Sequence, residues 1–192
     1  MMEYQKVPVT ICFNKIDLVD KEKLKEYSRI YEPAGYNVIF TCTKTKEGLG
    51  SIRSLLEGKT TTVAGPSGVG KSSIINCLQS DITMETGTIS EKIERGKHTT
   101  RHSEIIPVSH DTYIMDTPGF SSMDVPGFEK EDLWTCYPEF VRHEPYCRFI
   151  GCSHINEPDC GVKAAIEDGE ISPVRYENYK LLYEELKNRH KY

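Results

Sequence analysis

The chain has no apolar run approaching the roughly 20 residues that a membrane helix requires, so no transmembrane segment is expected. Its start, Met1 to Pro8, lacks the basic residues, long apolar centre and small-residue cleavage site of a secretory leader, and a cytoplasmic location is the expectation. An excess of positive charge is missing too. With 24 Lys and Arg against 29 Asp and Glu, the net charge is −5, so no global field draws nucleic acid and any such contact needs a local patch. Internal repeats and low-complexity tracts are also absent. What remains is a globular composition, 38% hydrophobic and 28% charged over 192 residues, enough for one domain and a small appendage. The seven cysteines are an odd count, which in a reducing compartment points to free or metal-bound thiols.

The patterning alternates strand and helix. Val7–Phe13 is a β-branched apolar run that reads as a buried parallel strand, followed by a polar loop. Asp20–Ile30 has helical spacing, Pro33-Ala34-Gly35 ends it, and Tyr36–Thr41 reads as a second strand. Glu47–Leu56 reads as helix, Lys59–Val63 as strand and Ser72–Leu78 as helix, which together predict a doubly wound α/β sheet. Thr83–Arg101 is polar and aperiodic and reads as a long mobile loop. Ser103–Val108 and Asp111–Met115 read as antiparallel strands round a tight turn at Ser109-His110. Beyond Pro126-Gly127 the composition shifts to aromatics, cysteines and prolines. The domains are therefore expected at 1–128 and 129–192.

Gly65-Pro66-Ser67-Gly68-Val69-Gly70-Lys71-Ser72, with Ser73 after it, has the spacing of a phosphate-binding loop and lies between a predicted strand and helix. Its glycines let backbone N–H groups curl round phosphates, Lys71 supplies a cation, and the Ser72 hydroxyl suits Mg²⁺. Asn14-Lys15-Ile16-Asp17 is short enough to be a mere turn. It nevertheless suits guanine, whose two adjacent N–H donors one carboxylate accepts together. A wrong base would leave Asp17 unsatisfied, at a cost of about 1–3 kcal/mol. Cys42, Thr43 and Lys44, closing the second predicted strand, form a small-residue turn that can offer a backbone N–H to the guanine oxygen. Asp116-Thr117-Pro118-Gly119 suits an aspartate holding Mg²⁺ through water and a glycine N–H meeting the γ-phosphate. In Gly96–Thr100, Thr99 is the candidate for a further Mg²⁺ hydroxyl, against the plain reading of a solvated loop. Phe120 follows Gly119 where better-known GTPases place a glutamine, so slow, partner-stimulated hydrolysis is expected. His98 is the nearest polar substitute for orienting water, though a loop histidine is more often just exposed.

Cys147, Cys152, His154 and Cys160 stand in a region with too few aliphatics for an independent core. Three thiolates and an imidazole satisfy a tetrahedral structural zinc, against the alternative of unligated cysteines. Cys136 lies too far upstream to join them, and Cys12, Cys42 and Cys77 read as small buried hydrophobes. Glu177–Lys191 reads as a helix with a basic end, which suits either the helix dipole or RNA phosphates.

The Asn14–Asp17 motif precedes the phosphate loop by about fifty positions, the reverse of an ordinary small GTPase, and a circular permutation explains that order. With NKID, GPSGVGKSS, GKHTTRH, DTPGFSS and CRFIGCSHINEPDC in this sequence, the chain resembles the ribosome small-subunit-dependent GTPase A family along essentially its whole length. The resemblance implies a Mg²⁺-dependent enzyme that converts GTP to GDP, acts in late maturation of the small ribosomal subunit and contacts its rRNA. It also implies Cys147, Cys152, His154 and Cys160 as ligands of one zinc ion; a monomer is the expectation for the chain. Relatives carry an N-terminal OB-fold and a further strand and helix that this chain does not show. A fragment or truncated reading frame is therefore expected, with a gap beside the Val7–Phe13 strand and weak GTP binding. Two other readings remain: a catalytically silent RNA-binding zinc module, and an ATPase with an accidental Asn14–Asp17.

Overall fold

The computed structural model describes residues 2–86, 104–116 and 128–188. Within them the chain order is β1 (Thr10–Asn14), α1 (Lys21–Tyr31), β2 (Asn37–Thr41), α2 (Leu49–Leu56), β3 (Thr60–Val63), α3 (Lys71–Thr86), β4 (Glu104–Ser109), β5 (Thr112–Asp116), α4 (Pro138–His143), α5 (Gly161–Glu167) and α6 (Pro173–Asn188). Short 3₁₀ turns occupy Ile16–Leu18, Lys130–Cys136 and Glu144–Tyr146. The α/β alternation is as the sequence reads, with two corrections. β1 begins at Thr10 rather than Val7, because Pro8 has no N–H for a ladder and the Val7 amide turns back to the Met2 carbonyl. α3 continues through Thr83–Thr86, a stretch read as loop, since no glycine or proline interrupts it before Gly87.

The strands form two sheets, β1–β2 and β3–β5–β4. Among the described residues β1 and β3 lie in different sheets. β3 and β5 are parallel, with Thr60 opposite Tyr113 and Val63 opposite Asp116. β5 returns antiparallel to β4, whose Pro107 sits beside a register shift on the sheet's edge. Alternation sets the core here: Ile106 and Val108 of β4 and Ile114 of β5 are buried, while Ile105 and Tyr113 face out. Leu49, Ile52 and Leu56 of α2, at helical spacing, and Ile75 and Leu78 of α3 complete this cluster.

By contacts the chain divides into two compact units. One takes in Met1–Ile11, Lys21–Val38 and Asp124–Tyr192; the other takes in Cys12–Asp20 and Ile39–Met123. The first unit has a core that its composition hides. Leu133, Tyr137, Phe140, Val162, Ala165, Ile171 and Tyr179 are buried together with Cys152 and Cys160. Tyr137, Phe140 and Tyr179 pack with ring centroids 4.8–5.2 Å apart. Aromatic area replaces the aliphatics whose scarcity suggested that only a metal could hold this module.

β1 differs from the buried strand expected of it, because none of its residues is fully buried. Of the three cysteines read as buried hydrophobes, only Cys42 is so; Cys77 is half-buried. Cys12 is exposed as a residue, although its thiol, 3.5 Å from the Thr41 hydroxyl, lies deep enough for burial to push its pKa up. No described helix is long and apolar enough to cross a membrane.

Candidate nucleotide site and metal centre

The residues between β3 and α3 form the phosphate-binding loop. Gly65, Gly68 and Gly70 have φ of 150°, 81° and 99°, values that side chains disfavour. Gly70 has a second reason to lack a side chain: a Cβ there would stand 2.3 Å from Asn14 Nδ2. Lys71 opens α3 and turns its ammonium back, donating to the carbonyls of Gly65 at 2.7 Å and Pro66 at 2.9 Å. A cation is thereby stationed within the loop. Ser72 and Ser73 follow it in the first turn of α3 and are exposed.

The loop after β1 is joined to this one by two hydrogen bonds. Asn14 Nδ2 donates to the Val69 carbonyl at 3.0 Å, and Lys15 Nζ donates to the Gly68 carbonyl at 2.6 Å. Lys15 itself adopts φ 66°, which turns the chain into the 3₁₀ turn bearing Asp17. Thr41, fully buried at the end of β2, donates its hydroxyl to Asn14 Oδ1 at 3.2 Å. A chain of bonds therefore runs from Thr41 through Asn14 to Val69, and a sequence reading that stopped at the four-residue motif missed its Thr41 end.

Asp17 is approached from the turn after β2. Cys42 Sγ donates to Asp17 Oδ1 at 3.4 Å, and Lys44 Nζ lies 2.6 Å from Oδ2. The Lys44 ammonium, and after it the Cys42 thiol, hold the Asp17 carboxyl below its ordinary range, while Asp17 raises Lys44 in turn. The Cys42 amide is bonded to the Glu47 carbonyl, and Thr43 offers its carbonyl to the Cys77 thiol. Asn14, Lys15, Asp17, Cys42, Lys44 and the Gly65–Lys71 loop are thus one connected group.

The remaining sequence candidates are less fully described. Asp116 ends β5 opposite Val63, so its backbone stands two residues short of Gly65 in the neighbouring parallel strand. His98, Thr99 and Gly119 lie outside the described residues.

The second site is the cysteine and histidine cluster. The ligand atoms of Cys147, Cys152, His154 and Cys160 all lie within 4.8 Å of one another. Cys147 Sγ is 3.8 Å from Cys160 Sγ, and His154 Nδ1 is 3.5 Å and 3.4 Å from those two sulfurs. A tetrahedral zinc with bonds of about 2.3 Å to sulfur and about 2.0–2.1 Å to nitrogen has S···S edges near 3.8 Å and S···N edges of about 3.5 Å. The three edges among Cys147, His154 and Cys160 have those dimensions, and with Cys152 Sγ also within 4.8 Å the donor set fits the metal.

His154 is held in a demanding pose. It is buried, with φ 58°, and its Nε2 is the one buried side-chain polar atom without a partner among the described residues. The rings of Trp134 and Phe140 stand edge to face with the imidazole at 6.0 and 5.8 Å. Its backbone carbonyl accepts from Tyr176 Oη at 2.7 Å, and that of Ser153 accepts from Tyr179 Oη at 2.7 Å. Glu157 gathers the same loop, accepting from the Ser153 amide and hydroxyl at 2.9 and 2.7 Å and from the Ile155 and Asn156 amides at 3.1 and 3.2 Å. No motif marks Glu157 or the two tyrosines in the sequence.

Charge at this centre is suppressed by burial. Burial pushes the Cys152 thiol up to about 12 and raises Cys160, and it lowers His154 to about 4 against the pull of Glu157. Burial thus favours the neutral forms of Cys152, Cys160 and His154, and a divalent ion would reverse that preference for the two thiols.

Comparison with known proteins adds a family. A model of the RsgA GTPase family matches residues 1–126. The chain is 79% identical over 192 residues to the small ribosomal subunit biogenesis GTPase RsgA of Agathobacter rectalis, covering all of this chain and 64% of that protein. It is 45% identical to the protein of the same name from Bacillus cereus, covering 98% of this chain and 65% of the relative. Among solved structures it resembles YjeQ from Thermotoga maritima, with a TM-score of 0.79 and 34% identity over 98% of this chain and 63% of that one. It also resembles YloQ, described as a circularly permuted GTPase, with a TM-score of 0.77 and 33% identity over 100% of this chain and 61% of that one. The chain thus spans a little under two thirds of the length of these relatives.

Proposed function

Because this chain belongs to the RsgA GTPase family, we propose that it binds guanine nucleotide, hydrolyses GTP to GDP and phosphate, and acts on the small ribosomal subunit late in its maturation. One observation carries the reading: Asn14 and Lys15 are hydrogen-bonded to the phosphate loop although they precede it in the chain. That contact gives a guanine reader and a phosphate cradle a common frame, which a chance Asn-Lys-x-Asp would have no cause to share.

In this reading Asp17 accepts the two guanine N–H donors, and the nucleotide displaces Lys44 from it. Cys42, Thr43 and Lys44 border the base. Backbone N–H groups from Gly65 through Ser73 receive the phosphates, and Lys71 swings from the carbonyls of Gly65 and Pro66 to the β- and γ-phosphates. Gly119 meets the γ-phosphate. Mg²⁺, when bound, neutralises charge on those oxygens, and Ser72, Thr99 and Asp116 are the residues assigned to hold it. His98 orients the attacking water, since Phe120 carries no polar group.

The domain division proposed is a permuted GTPase domain over 1–128 and a zinc domain over 129–192, with Cys147, Cys152, His154 and Cys160 holding one structural ion. The names of the relatives support the small ribosomal subunit as partner; contact to rRNA, a cytoplasmic location and a monomeric chain belong to the same proposal. Phosphate release measured with and without small subunits tests the activity. Asp17→Asn is expected to weaken guanine nucleotide binding at least about tenfold, the loss of a desolvated carboxylate contact. Unchanged preference for GDP over ADP in that variant would remove Asp17 from its role.

A further inference from the structure

Within the first compact unit lies an ion pair that the nucleotide and metal sites do not use. Glu139 of α4 is 1% exposed, and Arg175 of α6 grips it with two hydrogen bonds, Nε to Oε1 and Nη2 to Oε2. Three tyrosine rings surround the guanidinium, Tyr137 at 5.0 Å, Tyr36 at 5.2 Å and Tyr31 at 5.8 Å. Tyr137 comes from the C-terminal module, but Tyr31 ends α1 and Tyr36 leads into β2. Arg142 of α4 adds a hydrogen bond to the carbonyl of Pro33 between them. The 31–36 turn is thus held from a part of the chain more than a hundred residues downstream.

A buried ion pair is weak as a source of stability, because apolar groups of similar volume often serve as well or better. A planar guanidinium enclosed by rings does something apolar packing does not: it gives the turn one specific seat. The turn's chain connections give that seat its consequence. Segment 21–38 starts four residues after Asp17 and leaves the first unit at Val38, directly before Ile39–Thr41 of β2. At its end Thr41 donates to Asn14, and Cys42 and Lys44 bond Asp17. A helix on one side and a five-residue strand on the other are stiff connections, so displacement of the turn reaches both halves of the base-reading group.

We propose that the C-terminal module governs guanine nucleotide release through this Arg175–Glu139 clamp, acting on the base-reading loops by way of α1 and β2. The proposal rests on the guanine reading of Asp17. It makes Arg175 a positioning residue, and a partner that moves the module would alter nucleotide affinity from the base side of the site.

The test uses the whole chain with Arg175→Lys, which keeps the charge and loses the fork, and Tyr36→Leu, which removes one ring and leaves the ion pair. Release of a fluorescent GDP analogue and amide hydrogen exchange are followed, with zinc content as the control for the metal centre. Both variants are expected to retain zinc and to speed exchange at 12–20 and 39–44. GDP release is expected to quicken at least about fivefold, the lower end of usual coupling between sites. Faster exchange confined to 31–36 and the C-terminal module, with release unchanged, would overturn the proposal. Should Arg175→Lys not fold, Tyr36→Leu decides by the same two readouts. Failure of the wild-type chain to bind GDP would count against the guanine reading alone, because the exchange result still tests the coupling.

Discussion

Glu157 shows how much one side chain organises here. Its carboxylate collects four hydrogen bonds from the loop that carries His154, and it sits between two metal-ligand positions without being a ligand. Burial pushes this carboxyl up, but the bonds from Ser153 and from the backbone amides together outweigh it and hold the group at about 2, below the ordinary 4.5. The folded pKa is depressed, so the stabilisation is present above about pH 4.5 and is lost as pH falls toward 2. Glu157→Gln is expected to cost about 1–2 kcal/mol at neutral pH, after allowance for the group's partial exposure. Urea unfolding between pH 7 and 2.5 measures this. A variant that loses stability on acidification as steeply as the parent over that window would show that Glu157 is not the group responsible. Nothing in the sequence points to this residue, since a glutamate beside Asn156 and Pro158 looks like any loop acid. Asn14 and Asp17 are different: their motif was legible, while the Lys44 and Thr41 bonds around them depend on a second strand that brings distant residues alongside.

At the level of elements, α2 is fixed by its first turn. Gly48 precedes it with φ 75°, and a Cβ there would fall 2.0 Å from the Phe40 carbonyl oxygen and 3.0 Å from the Thr41 side chain. Both obstacles belong to β2, so the helix cannot start where it does unless this position is bare. Gly48→Ala combines backbone strain with a clash against main chain and is expected to cost about 2–4 kcal/mol. A loss under about 0.5 kcal/mol by thermal or denaturant unfolding would mean that the turn re-forms easily around a side chain. The elements themselves were largely readable because apolar period and punctuation agree in α1, β2, α2, β4 and β5. They disagree at the two places where the reading slipped. Val7–Val9 has strand composition but contains Pro8, and Thr83–Thr86 has loop composition but no breaker. Composition misled in each case where backbone chemistry decides.

For the molecule as a whole, the C-terminal module presents a choice between metal and core as its source of order. Its aromatic centre, with Phe140 and Tyr179 fully buried, does not consist of ligands, although Cys152 and Cys160 border it. Chelation is therefore expected to release the 147–160 loops while α4 and α6 keep slow amide exchange, with a melting temperature lowered by several degrees. That amounts to about 1–3 kcal/mol in a protein of this size. Complete loss of protection in α4 and α6 on chelation would instead make the metal the condition for folding. The sequence shows too few aliphatics for an independent core; in the structure tyrosine and phenylalanine supply buried area that an aliphatic count leaves out. The clamp at Arg175 was equally hidden, since a lone arginine in a helix acquires its meaning only when three rings from two distant stretches close round it.

The division of the strands into two sheets has a practical consequence. β1 and β3 each have one long side that no described strand pairs, although Phe13 and Val63 on those strands have interactions of their own. Thr10-Ile11-Cys12-Phe13-Asn14 contains neither a charge nor a proline to discourage an added strand. Concentrated preparations of this polypeptide are thus exposed to edge-to-edge aggregation, and a short strand-forming peptide added in excess would act as a solubilising cap.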